Sequence, residues 1–191
     1  MKDRLIIGIT GASGVIYGIR LLEVLKTIPD IETSLILSSS AKKNINIETD
    51  FSVEQVQEMA DVVYDENNQA AAVASGSYIT KGMIIIPCTM KTLSAIANSF
   101  NHNLLVRAAD VTLKESRKLV VVPRETPLHK GHLKLLLQLA DIGGIVIPPI
   151  PAFYHQPESI ADIIDQSIGK ILDQFSIQHD LFKRWSNTSE P

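Results

Sequence analysis

Hydrophobic positions come in short, strand-length runs that alternate with stretches of helical period. Leu5-Ile6-Ile7-Gly8-Ile9 is apolar apart from Gly8, as suits a strand covered on both faces. Val15, Ile19, Leu22 and Leu25 recur at helical spacing and predict an amphipathic helix over residues 14–27, ended by Pro29-Asp30. Residues 32–37 read as a second strand, and 41–46 as a short helix before the polar break Glu48-Thr49-Asp50. Ser52-Val53-Glu54-Gln55 has the capping-box pattern, which predicts a helix running to about Ala60, and 62–64 is a short third strand. Residues 65–82 carry no clear period; they are expected to pack closely near the surface, against a second subunit. Strands follow at 83–86, stopped by Pro87, at 119–122, stopped by Pro123, and at 145–147. Between and after them, helices are predicted from Cys88-Thr89 to about Asn98, over 104–116, over 129–140, and over 160–175 with a broad apolar face.

This alternation predicts an α/β fold: a Rossmann-like α/β/α sandwich around a mostly parallel sheet of about six strands, as one domain over residues 1–191. The tail from about residue 178 is expected in subunit contacts. The carboxyl ends of the strands gather 10–14, 38–40, 87–92, 123–125 and 148–151 along one edge, where open α/β sheets bind ligands.

The first strand enters the turn Thr10-Gly11-Ala12-Ser13-Gly14. Glycines there let backbone N–H groups approach a ligand, and the next helix aims its N-terminus at the same place, so the turn suits an anion; a plain strand–turn–helix link is the alternative. The glycine spacing is neither the dinucleotide G-x-G-x-x-G nor a P-loop, since no Lys follows Gly14. The second strand ends in Ser38-Ser39-Ser40 and not in the acid a nicotinamide site needs for ribose, which leaves a mononucleotide such as FMN.

No apolar run approaches the roughly 18 residues of a membrane span. Met-Lys-Asp-Arg leads straight into the first strand, so no signal peptide is expected, and the single Cys88 fits a reducing cytoplasm. A net charge of −3 argues against general nucleic-acid binding. Residues 91–134 nevertheless hold eight Lys/Arg against three acids, either an anion site or a solvated basic face.

Arg124-Glu125 directly follows a strand and lies between prolines, as an anion grip beside a proton carrier or as a local ion pair. Thr89, Met90, Lys91 and Thr92 open a helix with hydroxyls and free N–H groups. Arg107 and Lys114 share a helix face with Asp110 between them, and Lys114 equally suits open surface. Tyr154 is placed to cover a ligand or to pack at an interface, and Cys88 is a core residue before it is a nucleophile. His129 and His132 lack an acid or cysteine at metal-ligand spacing.

These segments together resemble the UbiX-type flavin prenyltransferases. The likeness is carried by Thr10–Gly14 with Tyr17-Gly18, Glu48-Thr49, Pro87–Thr92, Arg107–Val111, Leu113–Glu115, Arg124–Pro127 and Pro151–Pro157, and it runs from Leu5 to Trp185. The resemblance implies a cytoplasmic flavoprotein that moves a dimethylallyl group from dimethylallyl phosphate to N5 of reduced FMN, then closes a ring at C6. It implies no metal. The product would pass to a UbiD-type decarboxylase, as in ubiquinone biosynthesis, and the protein would form a homo-oligomer, a dodecamer, with sites between subunits. By position, Gly11, Ala12, Ser13, Ser38, Thr89, Met90, Lys91, Thr92, Arg107 and Arg124 would hold FMN. Ser13, Glu125, Lys114 and Glu48 would act in catalysis, and Tyr154 and Lys170 would bind the prenyl phosphate. Many relatives have Arg where this chain has Lys170, which loses a planar two-point grip. The alternatives weighed are an FMN-dependent decarboxylase of cysteine-containing substrates and a non-catalytic flavin carrier.

Overall fold

Six strands form a single sheet in the order β3-β2-β1-β4-β5-β6, and every neighbouring pair is parallel. They are β1 (Asp3–Ile9), β2 (Ile31–Leu37), β3 (Val62–Asp65), β4 (Gly82–Cys88), β5 (Lys118–Pro123) and β6 (Gly144–Val146). The helices are α1 (Val15–Lys26), α2 (Ser39–Glu48), α3 (Val53–Gln57), α4 (Met90–Ala97), α5 (Leu104–Lys114), α6 (Lys130–Asp141) and α7 (Ile160–Gln174). This computed structural model describes residues 2–185. The chain divides into two compact units, Met1–Pro148 with the sheet and Pro149–Pro191 with α7.

The chain leaves β1 toward β2 and β3, then returns to the other side of β1 with β4, so the order reverses between β1 and β4. Such a switch point opens a crevice at the carboxyl ends of the two strands. Central β4 is buried along its whole length, and β1 from Leu5 onward. Ile6, Ile36, Met83, Ile85, Leu119 and Val121 share one cluster with Leu93, Ile96, Leu105 and Ala109 from α4 and α5. Alternation along the strands turns Ile7, Leu35 and Ile84 to the opposite face. Each fully buried aliphatic side chain contributes about 1.5–3 kcal/mol by leaving water, so the core fixes the strands that carry the site.

Two local features depart from expectation. Neither Pro87 nor Pro123 stops its strand: β4 continues through Cys88, and β5 includes Pro123, opposite Cys88. The ladder to β5 shifts register between Ile85 and Cys88, and a proline without an N–H fits such an irregularity. The freed Pro87 carbonyl accepts from Thr10 N at 3.1 Å and Thr10 Oγ1 at 2.9 Å. His129 precedes α6 and caps it: its Nδ1 accepts from Gly131 N at 3.0 Å and His132 N at 3.3 Å. The capping box predicted at Ser52 and Gln55 is present.

Candidate flavin site

The switch point is stitched by Thr10. Besides its bonds to Pro87, its hydroxyl accepts from Thr89 N at 2.8 Å, which fixes the start of α4 against the end of β1. The glycine turn follows. Gly14 sits at φ 96°, a left-handed conformation that disfavours any side chain. A Cβ on Gly11 would lie 2.2 Å from Ser40 Cβ, so that glycine serves the close approach of α2. Asn44 donates to the Gly11 carbonyl at 3.1 Å, and Arg124 Nε donates to the Ser13 carbonyl at 3.2 Å. Arg124 thereby ties the end of β5 across the crevice to the turn.

The N-terminus of α1 is not open to an outside anion. Glu48, at the end of α2, accepts from Gly14 N at 2.7 Å and Val15 N at 3.3 Å. This chain's own carboxylate thus takes the place expected for a phosphate, and the helix dipole favours it there.

A cleft lies beside it. The N-termini of α2 and α4 meet in a cleft of about 180 Å³ lined by Ser38, Ser39, Ser40, Thr89, Lys91 and Thr92 among others. Ser38 caps α2 by accepting from Ala41 N at 3.1 Å. Thr89 caps α4 by accepting from Thr92 N at 3.1 Å, and its hydroxyl donates to Thr92 Oγ1 at 3.0 Å. Thr92 therefore keeps its own hydroxyl proton for a ligand. Helix geometry leaves the N–H groups of Met90 and Lys91 without intrahelical acceptors, and the Lys91 ammonium adds charge. Pockets for whole drug-sized ligands run to roughly 300–1,000 Å³, so this cleft suits one phosphoryl end of a larger molecule.

Glu66 also lines the cleft. It follows β3 and accepts from Ser39 N at 2.6 Å, from the Ser39 hydroxyl, and from Asn103 Nδ2 at 3.4 Å. Read as part of an unpatterned loop, Glu66 escapes notice. Its one signal is that β3 pairs with β2, so the residue after β3 stands beside Ser38 and Ser39.

Cys88 is fully buried and donates weakly to the Thr89 carbonyl, and burial pushes its thiol well above the ordinary range. It is a packing residue here. Among the described residues no group of three His, Cys, Asp or Glu side chains is placed to hold a metal ion.

The second unit is built on α7, which Ser159 and Asp162 start with a capping box. Tyr154 is partly exposed and meets Trp185 edge-on, with ring centroids 5.8 Å apart. Lys170 is half-exposed, and its Nζ lies 3.8 Å from Asp173 Oδ2.

A family model described as Flavoprotein matches residues 1–184. The flavin prenyltransferase UbiX of Escherichia coli K12 is 55% identical over 184 residues, covering 95% of this chain and 97% of that protein. The chain belongs to the UbiX-type flavin prenyltransferases. A dodecameric FMN-dependent UbiX-like decarboxylase from Escherichia coli O157:H7 superposes with a TM-score of 0.94 at 46% identity, over 96% of this chain and 100% of that one. AnUbiX in complex with FMN and dimethylallyl pyrophosphate superposes with a TM-score of 0.96 at 43% identity, over 99% of this chain and 100% of that one.

The UbiX-type residues named from sequence do not all converge within one chain. Gly11, Ser13, Ser38, Thr89, Lys91, Thr92 and Arg124 stand at the switch-point edge, and Ala12 is buried beneath the turn. Met90 is buried in the α4–α5 cluster, so a ligand meets its backbone only. Glu125 is exposed beside Arg124 and accepts from Thr126 N at 3.1 Å. Arg107 is engaged within the chain, with Ala74 O at 3.2 Å and Asp110 Oδ2 at 3.2 Å. Lys114 closes α5, about 15 Å along the axis from Leu104 at 1.5 Å per residue. There it pairs with Glu115 at 2.5 Å near Gly76, on the opposite edge of the sheet. Arg117 is there too, donating to the Gly76 and Tyr78 carbonyls. The basic segment 91–134 is therefore split between two edges and makes no single anion site.

Proposed function

We propose that this protein transfers a dimethylallyl group from dimethylallyl phosphate to N5 of reduced FMN and closes the new ring at C6. The observation that carries the reading is the meeting of two capped helix N-termini, α2 and α4, at the β1/β4 switch point. The Met90 and Lys91 N–H groups and the Thr92 hydroxyl of α4 fit a phosphomonoester, while at α2 the Ser39 N–H and hydroxyl already go to Glu66. Ser38, Thr89, Thr92 and the Lys91 backbone and ammonium would hold the FMN phosphate. Arg124, already fixed to the turn through the Ser13 carbonyl, would set the flavin against that turn. Bound reduced FMN supplies the nucleophilic nitrogen and carbon.

The remaining residues would act on the donor. Breaking an allylic C–O bond leaves growing negative charge on phosphate, and fixed cations in a water-poor site stabilise it. Lys114 and Lys170 would take that role, with Tyr154 donating its hydroxyl to the phosphate. Glu125 would carry a proton between the flavin and the leaving phosphate, with the Ser13 hydroxyl as relay. Glu48 would keep the turn in place through its bonds to Gly14 and Val15 while facing the same edge. We further propose that the two units act as a single flavoprotein domain in a cytoplasmic dodecamer. A UbiD-type decarboxylase would receive the product. For location the structure adds that no helix among the described residues is long and apolar enough to cross a membrane.

The test is anaerobic incubation of purified protein with reduced FMN and dimethylallyl phosphate, followed by mass spectrometry of the extracted flavin. A gain of one five-carbon prenyl unit is expected. Unmodified FMN with both the phosphate and the diphosphate donor would refute the reading.

A further inference from the structure

Lys170 sits one turn before Asp173 on α7, and two more groups crowd the same carboxylate. Arg184 holds it with both terminal nitrogens, Nη2 to Oδ1 at 2.7 Å and Nη1 to Oδ2 at 3.1 Å. His179 Nε2 lies 3.2 Å from Oδ1. The His179 ring is almost fully buried, and its Nδ1 accepts from Leu181 N at 3.3 Å. Its Nε2 faces both Asp173 Oδ1 and Arg184 Nη2, the latter also at 3.2 Å. The cluster is sealed by the close approach of the tail to α7. A Cβ on Gly169 would come within 2.4 Å of Phe182 Cε1 and 2.5 Å of His179 Cε1. The segment 179–184 thus lies directly over the residue before Lys170. Arg184 itself stands over the Phe182 ring, 5.5 Å from its centroid.

The competition for Asp173 is uneven. A bidentate guanidinium matches a carboxylate better than an ammonium does. Arg184 takes the two short contacts, and its hydrogen bonds are the main reason the Asp173 carboxyl is held below the usual carboxylate range. Lys170 is left with a single contact at 3.8 Å and a half-exposed ammonium. Remove Arg184, and Asp173 Oδ2 is left facing Lys170, at the i,i+3 spacing that favours such pairs.

We infer that Arg184 is a positioning residue: by saturating Asp173 it keeps Lys170 from being captured by its own helix and leaves that ammonium free for the phosphate of the prenyl donor. The inference rests on the proposed reading that Lys170 meets that phosphate. It assigns the tail a role in donor affinity, with no direct contact between Arg184 and the donor.

Four variants test it: Arg184→Met, Asp173→Asn, the double Asp173→Asn/Arg184→Met, and Lys170→Met. Each is assayed for KM toward dimethylallyl phosphate, kcat and FMN affinity. Arg184→Met is expected to raise KM about two- to fivefold, the range one exposed ion pair supports, with kcat and FMN affinity unchanged. In the double variant no carboxylate remains to capture Lys170, so KM returns to the wild-type value although the clasp is gone. Asp173→Asn alone leaves KM no higher than wild type, which keeps the inference testable if Arg184→Met does not fold. A raised KM in Arg184→Met that the double variant fails to restore would mean that the clasp only anchors the tail, and would overturn the inference. An effect of Lys170→Met with none of Arg184→Met would overturn the inference and leave the reading of Lys170 standing. No effect of Lys170→Met would sink both.

Discussion

Removing the Thr92 hydroxyl isolates the phosphate grip from the rest of the fold. Thr92 is the third residue of α4, and its backbone N–H, not its side chain, is what Thr89 caps. Thr92→Val keeps shape and cap, deletes one donor facing the cleft, and leaves the Thr89 hydroxyl without its acceptor on Thr92. A hydrogen bond to a charged group is worth about 1.5–3 kcal/mol. At 1.4 kcal/mol per factor of ten, that is roughly a ten- to hundredfold loss of FMN affinity. Thr89→Ala differs: it deletes the cap as well, at about 1 kcal/mol, which lowers Tm by roughly 2–4 °C in a chain of this size. Titrations by flavin fluorescence, with FMN and with riboflavin, separate these effects. On the proposed reading the cleft meets only the phosphate, so both variants should lose affinity for FMN and keep their affinity for riboflavin. Thr89→Ser should restore both Tm and FMN binding. Equal losses for FMN and riboflavin in Thr92→Val, or no loss for either, would refute a phosphate at the α4 N-terminus.

Three further expectations follow from the geometry. Glu125→Gln leaves FMN bound but slows prenylation by about 10²–10⁴-fold, the usual worth of a positioned proton carrier; single-turnover rates on the preloaded protein check it, and equal rates would remove Glu125 from the mechanism. Lys114 and Glu125 sit on opposite edges of the sheet, so a shared site needs them from different subunits. Co-assembled Lys114→Met and Glu125→Gln chains should then regain activity that neither variant has alone, and mixed oligomers as inactive as their parents would contradict this. Asp61 accepts from Thr33 N at 2.8 Å and Thr33 Oγ1 at 3.0 Å, and the backbone bond is the main cause holding its carboxyl below the ordinary value. Its folded pKa is depressed, so its stabilisation is complete above the unfolded carboxylate value near pH ~3.9 and disappears as pH falls through the folded value. Denaturant unfolding should therefore show a shallower acid limb in Asp61→Asn than in wild type, and identical limbs would rule the contribution out.

What the sequence made legible is what depends on period and on strand ends. The runs at β1, β2, β4 and β5 were long and apolar enough to place, and once they are parallel, every residue just after them must share an edge. That is why Ser38, Thr89 and Arg124 could be named together. Pro87 departs from its local rule, no proline inside a strand, because the ladder slips there and its carbonyl finds Thr10. At the glycine turn the sequence shows a helix N-terminus suited to an anion but not that Glu48, 34 residues away from Gly14, accepts from Gly14 N. Glu66 was missed because its role comes from the β3–β2 neighbourhood and from no pattern of its own.

Lys114 and Lys170 show a further limit. Spacing places two residues on one helix face, but it does not say how far along the helix a ligand reaches. Seven residues put Lys114 two turns beyond Arg107, or about 10 Å at 1.5 Å per residue, enough to carry it from one edge of the sheet toward the other. For Lys170, sequence names the cation but not its competitors. The carboxylate one turn on would neutralise it if Arg184, fourteen residues later in the chain, did not arrive first. In both cases the charge is legible and its availability is not, because availability is fixed by which oppositely charged group the fold brings closest.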